Sequence, residues 1–405
     1  MLRLVSGVAA VIGTLLLSRR SEQVDLWRFA VCWWGVLLAL DGAVRMRHKI
    51  SPLPRLRDLL ACAAASVLFW DFFELLDLRL HDWWYVGVLR SRPGGAAFSA
   101  ICFATVLPAV RLGLALISPR PAAGRAIAPP SRRAARVLFP LFAASLALLL
   151  AFPTVAFPLA WLLLWFLFEG ELARRRRDQE PRLESPLQAF RAGDRRVLLR
   201  LLALALPLGL LWEGLNFGAA RGWVYTVPHF ESPKLFEMPL PGYLGYLPFL
   251  LECGAALALL DRITPRLRGV PAAIMLLAIA GFHWEVDGFG RRATTISVAP
   301  RMADARTLPP SDLEWLERAG LRTPLDVLRA KRPVPGRIRD LAEVAQVAHL
   351  GIPWAERLGR AGVRGRAMLA SADPARLSER LATLGDEAPD PALARLWVRK
   401  ARESR

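Results

Sequence analysis

Apolar stretches of roughly 15–22 residues fall near 4–18, 26–43, 58–77, 97–117, 136–152, 156–171, 197–217, 241–260 and 270–285 of this 405-residue chain. A hydrocarbon layer takes about 20 apolar residues of helix to cross, and within it each backbone N–H and C=O must find a partner inside the protein. Runs of this length therefore predict an all-α, polytopic transmembrane helix bundle of about 8–9 segments over 1–289. Composition agrees, because 54% hydrophobic residues coexist with a net charge of +19. Leu, Ala and Val fill lipid, while Lys and Arg gather in cytoplasmic loops against anionic head groups, so membrane lipids account for the charge before nucleic acid is invoked.

The basic clusters lie at Arg45 to Arg57, Arg120 to Arg136, Arg174 to Arg196 and Arg262 to Arg268, alternating with poorly charged loops at Ala151 to Pro158 and Trp223 to Tyr243. The positive-inside rule places the clusters in the cytoplasm, the amino terminus with them and the Trp/Tyr-rich loops outside, as in a multi-pass protein of a bacterial inner membrane. Arg19-Arg20 follow the first stretch without a small-residue cleavage pattern, so it is read as a helix and not as a signal peptide. The last stretch, VPAAIMLLAIAGFHWEVDGFG, has about fourteen clean apolar residues before His283. It reads as a short span or a re-entrant element, which leaves the side of the tail open. Cys32, Cys62, Cys102 and Cys253 each sit inside an apolar run, as small buried hydrophobes and not as disulfides or metal ligands.

From 290 to 405 the texture is that of a basic, soluble helical domain, with breaks at Pro309-Pro310, Pro333 to Gly336 and Gly351 to Pro353. LERAGLRTPLDVLRA and LGRAGVRGRAMLASA form two short repeats, about 308–330 and 350–372. Each reads as helix, glycine break, helix, with Gly320 and Gly362 ending the first helix in a left-handed conformation, and Asp373-Pro374 opens another helix.

A second repeat lies in the membrane region, about 58–117 and 197–260. FWDFFELLDLRLHDWWYVG and LWEGLNFGAARGWVYTVP share a Trp, then an acid, then Glu or Asn three residues later, then a Trp/Tyr pair. Both copies follow a basic cluster, so both run outward as a parallel repeat. Residues three apart share a helix face, which pairs Asp71 with Glu74 and Glu213 with Asn216. Trp83-Trp84-Tyr85 and Trp223/Tyr225 suit the outer interface.

An ionisable group within a span is expensive unless paired or hydrated, and so marks a bundle interior or a wet cavity. Asp71, Glu74, Glu213, Asn216, Glu252 and His283 are therefore expected around one polar cavity opening outward, with Glu213 and Glu252 as the acid/base or binding carboxylates and the others, with Trp223 and Tyr225, binding ligand. Glu213 and Asn216 equally suit hydrogen bonding between helices, and Asp71 suits solvation near an interface. His283-x-Glu285-x-Asp287 scatters over different helix faces, so an interfacial cap is read there, with no metal and no cofactor. FEMPLPGYLGYLPF cannot be regular helix through its first half, given Pro239, Pro241 and Pro248, and reads as a lid over the cavity or as an interface loop.

WExxN…WVYTVP…FEMPLPGYLGYLPFxLE resembles a family of uncharacterised bacterial multi-pass membrane proteins, and the tail resembles helix-hairpin-helix repeat domains; together these cover most of the chain. The membrane resemblance implies a location and no particular activity. The tail departs from DNA-binding hairpins, whose turns offer backbone N–H groups to phosphate, since its turns read Gly351-Ile352-Pro353 and Leu308-Pro309-Pro310 and proline has no N–H. A protein partner through 300–405 is thus favoured over nucleic acid. The leading expectation is a polar site that binds or processes a lipid-like or isoprenoid-like molecule. A transporter or channel, or a non-catalytic anchor presenting the helical domain, stands beside it.

Overall fold

The computed structural model describes residues 1–118, 131–174, 185–230, 232–264, 269–347, 350–385 and 389–403; parts of the basic clusters at 120–136, 174–196 and 262–268 lie outside them. The chain divides into two compact units. One comprises Met1–Asp82, Arg92–Ala219 and Val227–Ala293, and the other Trp83–Ser91, Ala220–Thr226 and Thr294–Arg405. The second unit thus combines the tail with two short pieces cut from the membrane region, a partition the linear boundary near 290 does not contain.

The first unit is an all-α bundle. Its helices are α1 (Leu2–Ser18), α2 (Glu22–His48), α3 (Leu56–Leu80), α4 (Arg92–Phe103), α5 (Val106–Ile117), α6 (Arg132–Ala151), α7 (Pro153–Ala156), α8 (Ala160–Arg174), α9 (Pro186–Arg191), α10 (Arg196–Asn216), α11 (Tyr246–Ile263) and α12 (Val270–Ala293). Among the described residues eight segments are long and apolar enough to cross a membrane, α4–α5 and α7–α8 each counting as one, and α1 is a shorter apolar helix. The protein is a multi-pass membrane protein. The sequence leaves 270–285 as a short or re-entrant element, whereas α12 runs unbroken to Ala293. It continues past the apolar residues because His283 and Asp287 find hydrogen-bond partners on neighbouring helices.

Small residues bring α1 and α2 close together. A Cβ on Gly7 would stand 2.5 Å from the Ala39 nitrogen, and one on Gly42 2.4 Å from the Leu4 nitrogen. Glycine at both positions lets the α1 and α2 backbones approach in a way no larger residue permits, as is common between helices in lipid, where close packing replaces the hydrophobic driving force.

The two copies of the repeated motif meet. Trp70 and Trp212, at equivalent positions, contact at 5.6 Å between ring centroids within the first unit. In the second unit β1 (Trp83–Val86) and β2 (Gly222–Tyr225) pair antiparallel with Trp83 opposite Tyr225. Trp84 donates through Nε1 to Thr226 Oγ1 at 2.8 Å, across a separation of 142 residues. That spacing also relates Trp70 to Trp212, Asp71 to Glu213 and Glu74 to Asn216. Equivalent residues opposite one another in an antiparallel pair are what a local two-fold relation between copies produces. The packing order recurs as well: α1 on α2, α2 on α5 and α3 on α5 in the first half, then α6 on α8, α8 on α11 and α10 on α11. Helix α12 stands outside this scheme and packs on α3 and α4.

The second unit adds α13 (Pro310–Ala319), α14 (Pro324–Arg329), α15 (Gly336–Gln346), α16 (Gly351–Arg360), α17 (Gly365–Ser371), α18 (Pro374–Thr383) and α19 (Pro391–Glu403). Gly320 (φ 69°) ends α13 and Gly362 (φ 85°) follows α16, both left-handed, as the repeat predicts. Asp373 caps α18 by accepting from the Arg376 N–H at 2.9 Å. Segment 294–299 lies along β1, with the Tyr85 N–H donating to Thr294 O and the Ile296 N–H donating to Tyr85 O, both at 2.8 Å. Trp84, Val86 and Val224 are buried in one hydrophobic core with Ile296, Leu350 and Trp397. Residues of the two Trp-rich segments therefore contribute to the core of the helical unit.

Replacing Gly42 by Ile is expected to separate α1 from α2 and to lower stability by about 1–3 kcal/mol, the usual cost of overpacking, read as earlier thermal unfolding in detergent. A second expectation concerns Asp82, just beyond the end of α3, whose carboxyl burial pushes from its ordinary 3.8 to about 7. The folded chain then holds a proton that the unfolded chain releases between about pH 4 and pH 7, so stability falls as pH rises through that window by up to about 1.4 kcal/mol per pH unit. Asp82→Asn should flatten that slope and raise unfolding temperatures at pH 8 more than at pH 5; an unchanged slope would mean Asp82 is charged in the folded chain.

Candidate functional site

Three polar clusters of the membrane unit hold residues that the sequence singles out. The first joins α3, α4 and α12. His283, 5% exposed, holds Asp71, 0% exposed, through Nδ1 and Oδ1 at 2.8 Å. Its Nε2 lies 2.9 Å from Ala96 O and 3.1 Å from Ser99 Oγ. Ser99 in turn donates toward Asp287 Oδ1 at 2.9 Å, with Gly95 O and Ala96 O as alternative acceptors at 3.1 Å. Ala96 O can only accept, so that contact requires a proton on Nε2. A second proton then lies on the His283–Asp71 bond, held by the imidazolium or by the carboxyl. The result is a continuous relay, from a fully buried carboxylate through imidazole and hydroxyl to the partly exposed Asp287.

Helical spacing explains the membership. His283 and Asp287 are four apart and share a face, while Glu285 points away to an exposed position 3.8 Å from Arg92. Glycines admit two arginines at the same end. A Cβ on Gly288 would stand 2.8 Å from an Arg92 nitrogen, and one on Gly95 2.9 Å from an Arg291 nitrogen. Arg92 also lies over the Trp284 ring at 4.3 Å. An acid–base relay flanked by two guanidinium groups can orient an anionic head group and pass a proton to or from it.

The second cluster ties α11 to α10. Tyr246 donates to Glu213 Oε1 at 2.7 Å. Its ring lies flat on Gly209, one turn before Glu213, where a Cβ would stand 2.6 Å from the ring. The proline-rich loop leading there is a hairpin of β3 (Lys234–Leu235) and β4 (Met238–Pro239), then a 3-10 turn Leu240–Gly245. Phe236 packs on Phe217, and Tyr243 donates to Leu235 O at 3.1 Å, so the loop folds down on the end of α10.

In the third cluster Glu252, 0% exposed, accepts from the backbone N–H groups of Leu164 at 2.9 Å and Trp165 at 3.4 Å, near the start of α8. Those amides lie within α8, so the carboxyl ties α11 to α8. Glu74 accepts from Trp70 Nε1 at 2.8 Å on its own helix, and Asn216 is buried at the end of α10. Trp223 donates to Tyr225 Oη at 2.8 Å within the second unit. Asp71 and His283 thus meet, while Glu213 and Glu252 have partners of their own.

Ser99, Tyr246, Arg92 and Arg291 were not anticipated. A lone hydroxyl one turn into an apolar run is the only signal Ser99 gives, and a serine in a helix ordinarily bonds its own backbone, as this one also does. Elsewhere Arg111 and Asp261 form a buried pair at 2.7 Å between α5 and α11, and Glu169 accepts from Ser185 Oγ at 2.8 Å. Among the described residues no group of three or more His, Cys, Asp or Glu is placed to hold a metal ion. No protein-family model, curated protein or solved structure matches the chain.

Tyr246→Phe removes the phenol donor from Glu213 and is expected to cost about 1–3 kcal/mol. Gly209→Ala displaces the same ring, so the double variant should lose less than the sum of the two in thermal unfolding. Strict additivity would show that the ring's seat and the hydrogen bond act separately.

Proposed function

We propose that this multi-pass protein binds a lipid-like amphiphile by its polar head group at the Asp71–His283–Ser99–Asp287 relay and moves a proton there. The observation that carries this reading is the relay itself. Three helices converge a carboxylate, an imidazole, a hydroxyl and a second carboxylate in hydrogen-bonded order, at a depth where such groups are otherwise avoided. Arg92 and Arg291 favour an anionic head, and the largely lipid-facing α12 favours a ligand with an apolar body. His283 acts as the acid–base group, Asp71 orients it and Ser99 connects it to the exposed end. Glu213 and Glu252 shape the surroundings. The basic loops and the motif resemblance both favour a bacterial inner membrane as the location.

A second reading, a transporter, draws on the two-fold repeat of α1–α5 and α6–α11, since duplicated helix sets beside buried polar groups occur in such folds.

The test is gentle detergent extraction of the parent, His283→Gln, Ser99→Ala and Glu213→Gln/Glu252→Gln, followed by mass spectrometry of retained small molecules. A defined amphiphile kept by the parent and the double variant, and lost from folded His283→Gln, is the expected result. Loss from the double variant alone would move the site to the two glutamates, and retention by no protein would favour the anchor role.

A further inference from the structure

We infer that the helical unit formed by Thr294–Arg405 lies on the side of the membrane opposite the basic loops, and that α12 is a full span that carries the chain there. Two observations agree on this, and the charge of the loops fixes the direction. The first is the make-up of the second unit. Segments 83–91 and 220–226, which connect membrane helices, fold together with the tail. Strand β1 pairs with β2, segment 294–299 bonds along β1, and Trp84 and Val224 share one core with Trp397. Segments that share one hydrophobic core share one side of the membrane.

The second is a count of crossings. Between Asp82 and Ala220 the chain makes four candidate spans, Arg92–Ile117, Arg132–Ala151, Pro153–Arg174 and Arg196–Asn216; between Thr226 and Thr294 it makes two, Leu240–Ile263 and Val270–Ala293. Even numbers bring all three pieces back to one side, as a common core demands. A re-entrant α12 would make the second count odd and strand the tail away from β1 and β2. Helix α1 enters neither count.

The alternate connections carry the charge that fixes the direction. Arg47 and Arg55 before α3, Arg133 in α6, Arg195 before α10 and Arg262 in α11 all lie at the opposite ends of these spans, again separated by even numbers of crossings. The positive-inside rule assigns those ends to the cytoplasm. The tail's own basic residues do not oppose this, because the rule counts short loops, and longer domains cross largely regardless of charge. On the outer side the unit has no access to chromosomal nucleic acid, so its partners are non-cytoplasmic.

The four native cysteines are buried, which leaves single introduced cysteines readable in the full chain. Thr383 and Arg55 are both exposed. With a membrane-impermeant maleimide on intact bacterial cells, Thr383→Cys should label at once and Arg55→Cys only after permeabilisation. Labelling of Thr383→Cys only after permeabilisation would overturn the assignment. A carboxy-terminal alkaline phosphatase fusion, active only outside the cytoplasm, gives the same reading without a substitution: activity supports the outer location, and a stable inactive fusion refutes it.

Discussion

Lipid offers no hydrogen bonds, so each polar group carried into the membrane must find its partner within the protein or raise the cost of the fold by several kcal/mol. In this bundle that requirement chooses the helix neighbours. His283 reaches Asp71 across α12 and α3, Tyr246 reaches Glu213 across α11 and α10, and Glu252 reaches amides of α8. Arg111 and Asp261 do the same between α5 and α11. Apolar contacts between helices are nearly interchangeable in lipid, whereas these bonds are not, and they give the bundle its particular pairing.

The repeat clarifies why two equivalent acids have different surroundings. Asp71 and Glu213 occupy matching positions on α3 and α10, yet α12 packs against α3 and α4 of the first half. It supplies Asp71 with an imidazole, while Glu213 receives a phenol from α11. A helix added outside the repeat thus draws one of two related acids into a hydrogen-bonded chain with an imidazole and a hydroxyl. The other acid takes part in anchoring the loop that folds over α10.

Much of this was legible in the chain. Run length predicted the membrane helices, and Gly320 and Gly362 predicted the breaks in the tail. Asp71 and His283 were singled out because charge in an apolar run is costly wherever it finally points. Partners were less legible. Glu252 reads as a candidate acid and is held by backbone amides, which no side-chain pattern announces. Ser99 passes unnoticed because a hydroxyl carries little cost in a helix that can bond it to its own carbonyls. Trp83 to Tyr85 and Trp223 to Tyr225 read as interface aromatics, and their pairing as β1 and β2 left no separate mark, since amphipathic strands and interface belts use the same residues.

The sequence alone determined what obeys one-dimensional rules: the number and length of apolar segments, the ends of the helices, and the duplication of a motif at fixed spacing. The first two follow from the thickness of a bilayer and from local steric preference, and the duplication is read from the residues directly. Only the tertiary structure decided that the two motif copies face each other, that two connections between membrane helices complete the tail's core, and that His283 serves Asp71 and not Glu213. Those outcomes rest on contacts between residues one hundred or more positions apart, such as His283 with Asp71 at a separation of 212. In lipid, where one apolar face resembles another, such contacts are set by the geometry of a few hydrogen bonds and glycine approaches.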